Sequence, residues 1–142
     1  QRATRARLFA QVCDEGDLAP ACTHQALAES PADPATSLLE SGCDGGDPLA
    51  CAYLGRRAAD ADMLEVVWQW EVLPRVTDCE ATGVADVRFV LEADGSPTID
   101  DRTPACVARA IEAVAWPKPG ATLPVEYTLE IFDDVVTTRE TP

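Results

Sequence analysis

The chain predicts an α+β protein: two disulfide-stapled helical hairpins over residues 1–60, then a small antiparallel sheet with one packed helix over residues 63–142. Three observations carry that prediction. Cys13 to Cys22 reads Cys-Asp-Glu-Gly-Asp-Leu-Ala-Pro-Ala-Cys and Cys43 to Cys51 reads Cys-Asp-Gly-Gly-Asp-Pro-Leu-Ala-Cys, so a near-duplicate carries a cysteine at each end of each copy. Apolar residues recur at helical intervals in the first part and mostly at every second position after it. Hydrophobic residues make up 46% of 142, enough for one ordinary core or two very small ones.

The first half is an internal repeat. Sliding the chain by 30 residues lays Leu8-Phe9 and Cys13 on Leu38-Leu39 and Cys43, and sliding by 29 lays Ala21-Cys22 on Ala50-Cys51. Ala35, Leu38, Leu39, Gly42 and Cys43 share one helical face. Gly16 and Gly46 suit the left-handed end of one helix, Asp17 and Asp47 suit the cap of the next, and Pro20 and Pro48 fit its first turn. Each copy is then a helix-turn-helix hairpin. One cysteine falls in the last turn of the first helix and the other in the first turn of the second, which predicts local bridges 13–22 and 43–51. Each closes a loop of about 10 residues, worth roughly 2.5–3 kcal/mol in the chain-entropy account. Two repeats are fewer than a free-standing solenoid needs, so docking against the second half is expected.

After the Ala58-to-Asp62 stretch the pattern alternates. Leu64, Val66, Trp68, Trp70 and Val72 are read as one face of a strand, with Glu65, Gln69 and Glu71 opposite. Further strands follow through Ala85, Val87, Phe89 and Leu91 and through Val125, Tyr127, Leu129 and Ile131. Asp94-Gly95 is a turn signal leading to a short return strand near Thr98 to Asp100. Thr103 is placed as cap and Pro104 as opening residue of a helix whose Val107, Ala110, Ile111 and Val114 share a face. Cys79 precedes one strand and Cys106 sits in that helix's first turn, which predicts a third bridge, 79–106, between sheet and helix.

Cys43-Asp44-Gly45-Gly46-Asp47 and Ala50-Cys51-Ala52-Tyr53-Leu54-Gly55 resemble the Sel1-like, or cysteine-rich Hcp-like, helical repeat family over residues 5–58. The first copy departs from it, with Gln25 and Ala26 where Leu54 and Gly55 stand. Val87 to Leu91, Asp94-Gly95, Cys106-x-x-Arg109-Ala110 and Trp116-Pro117-Lys118-Pro119-Gly120 resemble the TonB C-terminal domain superfamily, in its gliding-associated envelope form, over about residues 63–133. Both resemblances imply contact with partner proteins, in the second case often by strand pairing. Nothing resembles a TonB transmembrane anchor or proline-rich spacer, so energy transduction is not implied.

Charge narrows the partners. The net charge is −14, with acids in excess in both halves. Phosphate binding needs Lys and Arg to displace counterions, so nucleic acid is excluded as a partner, and an anionic membrane surface is disfavoured for the same reason. Six cysteines, the first two pairs separated by eight and seven residues, with His24 the only histidine, fit disulfides and not zinc. Disulfides persist in oxidising compartments, so the expected location is periplasmic or extracellular. No membrane-spanning run occurs. The chain starts at Gln1 rather than Met, which is read as a processed mature segment, with an upstream lipid anchor left open.

No residue set points to catalysis. His24 stands where Tyr53 stands in the other repeat and has no motif-placed nucleophile beside it, and bridged cysteines cannot attack a substrate. Asp44-Gly45-Gly46-Asp47 and Asp100-Asp101 do not match a calcium loop, Asp133-Asp134 is read as solvated C-terminal charge, and no glycine-rich phosphate loop follows a strand. The expectation is therefore no cofactor, no metal and no enzymatic activity. The partner-binding candidates are Trp68 and Trp70 on their shared face, and Val125, Tyr127, Leu129 and Ile131 on a last strand read as an exposed edge. The expected role is a non-enzymatic envelope adaptor or accessory subunit that contacts other envelope proteins. The alternative is an extracellular module binding a small molecule or cell-wall fragment through the Trp68/Trp70 face.

Overall fold

A computed structural model describes residues 2–15, 19–77, 79, 83–132 and 135–140. The two predicted hairpins form. Helices α1 (Arg2–Glu15) and α2 (Ala19–Glu29) make the first, and α3 (Thr36–Asp44) and α4 (Pro48–Tyr53) the second. In the second turn Gly46 takes φ +98°, a region open to glycine at no steric cost, and the Asp47 carboxylate accepts from Leu49 N at 3.3 Å with Pro48 at the first helical position. Gly16 and Asp17, the corresponding pair in the first repeat, lie outside the described residues. Asp47 also accepts from the buried Thr23 hydroxyl, tying α2 to the start of α4. Gly42 is buried on α3, where a Cβ would lie 2.7 Å from Thr23 Oγ1 and 3.1 Å from the Ala50 side chain. The repeats pack this closely because that position carries no side chain. Ala35, expected on the buried face of α3, is instead its exposed N-cap.

The segment read as a first strand is helical. α5 (Ala61–Val67), a π-helical turn at Trp68–Val72 and α6 (Leu73–Val76) run on without a break. Asp60 caps α5, its carboxylate accepting from Met63 N at 2.9 Å. Leu64, Trp68, Val72 and Val76, spaced by four, are all buried, as are Met63, Val67 and Glu71 beside them. A column spaced by four drifts by about 40° per step around a helix of 3.6 residues per turn. The wider π turn absorbs that drift and keeps the column facing the core. The alternating residues were also a helical column, and packing selected the second pattern.

Four strands make one antiparallel sheet in the order β2-β1-β3-β4: β1 (Gly83–Leu91), β2 (Pro97–Ile99), β3 (Leu123–Phe132) and β4 (Val135–Glu140). The register places Val87 opposite Tyr127 and Phe89 opposite Val125, so the apolar residues of both strands meet on one face. Helix α7 (Ala105–Glu112) contributes buried Val107, Ala110 and Ile111 to the same core. Thr103 does not cap α7: Pro104 occupies the cap position, and the Thr103 hydroxyl has no hydrogen-bond partner among the described residues. β3 is not an edge. It pairs with β1 on one side and with β4 on the other, and β4, not foreseen, is the terminal strand.

The three disulfides join Cys13 to Cys22, Cys43 to Cys51 and Cys79 to Cys106, the expected pairs, with Cα separations of 4.8, 4.8 and 6.0 Å. One contiguous core runs from Ala26 and Leu27 of α2 to Leu129 of β3. Backbone hydrogen bonds cross the seam between the helical repeats and the sheet half: Ala59 N to Lys118 O at 2.9 Å, Lys118 N to Ala52 O at 3.1 Å, and Ala115 N to Pro31 O at 2.6 Å. The Tyr53 hydroxyl adds a bond to Ala115 O at 2.9 Å.

Candidate interaction surface

The candidate residues separate into core and surface. Trp68 is fully buried, its ring stacked on Tyr127 with centroids 4.3 Å apart and planes 16° off parallel. Trp70, two residues on in the π turn, is 45% exposed. The two tryptophans therefore share no face, because successive helical positions turn by about 100° where a strand would return the side chain to the same side. Val125, Tyr127 and Leu129 are buried on the inner face of β3. Ile131 lies on β3 opposite Gly83 of β1.

Trp70 is held from outside its own helix. His24 of α2 lies against it at 5.2 Å between centroids, Phe9 of α1 lies edge-on at 6.3 Å, and Phe9 stacks on His24 at 5.0 Å. Leu8 of α1, next to Phe9, is 61% exposed. These rings come from three elements far apart in sequence. Together they form an aromatic cluster where α1 and α2 meet the π turn, with Trp70 half-exposed. Among the described residues the exposed large apolar side chains are Leu8, Trp70 and Val84, and the first two sit on elements that build this cluster. The sequence signal for His24 was its equivalence to Tyr53, and the structure gives the two different jobs: Tyr53 seals the seam and His24 supports Trp70. Phe9 and Leu8 were legible only as repeat residues.

The buried charge near this surface is paired. Glu71, in the same π turn, is only 2% exposed and faces the Arg75 guanidinium at 3.7 Å, while Arg75 Nη1 donates to the Glu71 backbone carbonyl. A buried carboxylate needs such a partner. Burial raises the Tyr53 phenol well above its ordinary ionisation range, and the negative Glu71 adds to the shift. Tyr53 remains a neutral donor at physiological pH.

Two other concave regions occur among the described residues. An open cleft of about 400 Å³ lies along the seam, with Leu39, Tyr53, Leu54 and Trp116 in it and Asp33, Asp94 and Lys118 among its polar groups. Asp94 is held below the usual carboxylate range by hydrogen bonds from the Ser96 N–H and hydroxyl and by the charge of Lys118. The second region, beside the end of β2, is small and polar. On the outer sheet face Arg88 pairs with Glu126, its cross-strand neighbour, at 3.4 Å, so Glu126 acts within the sheet. Among the described residues no three His, Cys, Asp or Glu side chains are grouped to hold a metal, and no helix is long and apolar enough to cross a membrane. The Asp133-Asp134 pair lies outside the described residues.

Comparison of the chain with protein-family models, with curated proteins and with solved structures found no match.

Proposed function

We propose that this chain is an exported, non-enzymatic adaptor or accessory subunit that docks another envelope protein on the aromatic surface of its helical repeats. In this reading the helical half is a pair of Sel1-like hairpins and the sheet half a TonB-C-like domain, and the compartment is the periplasm or the cell exterior. The observation that carries it is Trp70, a half-exposed indole packed against Phe9 and His24, with exposed Leu8 next to Phe9 in the chain. Tryptophan is the residue most enriched among side chains that dominate binding energy, and an indole already fixed by its neighbours loses little rotamer freedom on binding. The three disulfides support an oxidising location. A partner that adds a strand to the sheet would meet one of its edges, β2 or β4, since β3 is paired on both sides.

Photo-cross-linking in envelope extracts tests the reading. A photoreactive phenylalanine analogue at position 8 is expected to trap one discrete protein, and Trp70→Ala should abolish that product. The same analogue at Arg109, exposed on α7, is expected to trap nothing discrete. Equal labelling from positions 8 and 109, or a product indifferent to Trp70→Ala, would refute the docking surface.

A further inference from the structure

One stretch of backbone joins the helical repeats to the sheet half, the segment between α4 and α5, and no disulfide spans it: the bridges 13–22 and 43–51 lie before it and 79–106 lies after. α4 is closed by Gly55 at φ +76°, with Gly55 N donating to Ala52 O at 3.1 Å and Arg56 N to Cys51 O at 2.9 Å. The chain is taken up again at buried Ala59, whose N–H donates to Lys118 O at 2.9 Å. Between these anchors Gly55, Arg56, Arg57 and Ala58 are all exposed, and the Arg57 and Ala58 amides have no backbone partner among the described residues. The Arg56 guanidinium stands 3.6 Å from the exposed Asp44 carboxylate, a pair that contributes little, and Arg57 has no ion pair among the described residues.

Exposed backbone of this kind is where proteases cut, and a trypsin-like enzyme reads an arginine ahead of the bond it breaks. Among 11 basic residues, Arg56 and Arg57 are the only adjacent pair. The others are less open: those of α1, α6, α7, β1 and β4 lie in regular structure, Lys118 precedes buried Pro119, and the bond after Arg102 leads to buried Thr103, whose N–H donates to Asp100 O at 3.0 Å. We propose that the Arg57–Ala58 bond is a processing site for a trypsin-like serine protease, and that the cut yields a two-chain protein held together by its seam. Water adds across the amide: the C–N bond breaks, the Arg57 carbonyl carbon gains an oxygen and becomes a carboxylate, and the Ala58 nitrogen takes the protons and becomes an ammonium.

The cut leaves the core in place. Ala52 and Tyr53 before it and Ala59, Met63 and Leu64 after it are buried, and the bonds from Lys118 N to Ala52 O, from Ala115 N to Pro31 O and from the Tyr53 hydroxyl to Ala115 O cross between the two fragments without using the exposed arch. What changes is the order of unfolding: the nicked form comes apart into two chains, so its stability depends on protein concentration where that of the intact chain does not. The cut also divides the aromatic cluster. Phe9 and His24 go with the first fragment and Trp70 with the second, so in the nicked form the cluster lasts only while the seam holds.

Limited digestion of the native, unreduced chain with trypsin, read by intact mass spectrometry, tests the proposal. The first cut is expected after Arg57, giving fragments 1–57 and 58–142, and the same two fragments are expected from wild type in envelope extract. Arg56→Gln with Arg57→Gln, both at exposed positions, should slow loss of the intact chain at least about tenfold and abolish the fragments in extract, with the thermal midpoint unchanged. The nicked form should run as one species on native size exclusion, and its midpoint should fall by about 3–6 °C for each tenfold dilution while that of the intact chain stays fixed. A first cut at any other bond, a double variant digested as fast as wild type, wild type left wholly uncut in extract, or fragments that part on native size exclusion would each overturn the assignment.

Discussion

Replacing Tyr53 by phenylalanine removes a single oxygen from the seam between the helical repeats and the sheet half. That oxygen donates to Ala115 O at 2.9 Å, and the ring beneath it is buried and remains in the variant. Loss of one such bond, with the carbonyl left short of a donor, costs about 1–1.5 kcal/mol near neutral pH. For a chain of this size that is a fall of about 3–5 °C in thermal midpoint. The pH dependence makes the test sharper. In the unfolded chain the phenol ionises near its ordinary value of 10.0, while in the folded chain burial first and Glu71 second hold ionisation well above it. Above about pH 10 the unfolded state therefore binds fewer protons than the folded state, and wild-type stability falls by up to about 1.4 kcal/mol per pH unit until the folded phenol also ionises. The phenylalanine variant lacks that proton. Its disadvantage at pH 7 should vanish within about one unit above pH 10 and then reverse. Urea denaturation of both proteins at intervals from pH 7 to 11.5 measures this. A stability difference that stays constant across the range, or is absent at pH 7, would refute the reasoning.

Gly42→Ala pushes a methyl to 2.7 Å from Thr23 Oγ1 and against Ala50, and should cost about 1–3 kcal/mol in chemical denaturation. Removing the sheet-half bridge with Cys79→Ser and Cys106→Ser together opens a loop with a sequence separation of 27, worth about 3.5 kcal/mol, against about 2.6 for Cys43→Ser with Cys51→Ser. The loss should be larger for the first pair in matched denaturant titrations. Of the three tryptophans, only Trp70 should be open to acrylamide, since Trp68 and Trp116 are buried, and Trp70→Phe should abolish the quenchable emission.

Local chemistry made much of the architecture legible. Gly46, Asp47 and Pro48 specify a helix end, a cap and a helix start in consecutive residues, and no distant contact is needed to read them. The first two cysteine pairs follow because each hairpin brings its two helix ends together. β1 and β3 read correctly because one face of each is core and the other is solvent. Residues 61–76 misled because Leu64, Trp68 and Val72 satisfy a period of two and a period of four alike. The deciding signals were Asp60, three residues ahead of the Met63 amide it caps, and the continuation of the column to Val76. β4 was overlooked although Val135 to Thr138 is an unbroken run of β-branched residues, the side chains that favour strands. That omission turned β3 into a supposed edge. The aromatic surface was legible only in part, since Trp70 could be singled out by type, but its support comes from Phe9 and His24, 61 and 46 positions away in the chain.

The docking account meets its most direct test in the native mass of the chain, measured by size exclusion with light scattering on unreduced envelope extract. Wild type should elute in an assembly well above its own 15.2 kDa, and Trp70→Ala should fall back to that value while keeping the wild-type thermal midpoint. Wild type recovered as a free 15.2 kDa monomer would contradict the claim.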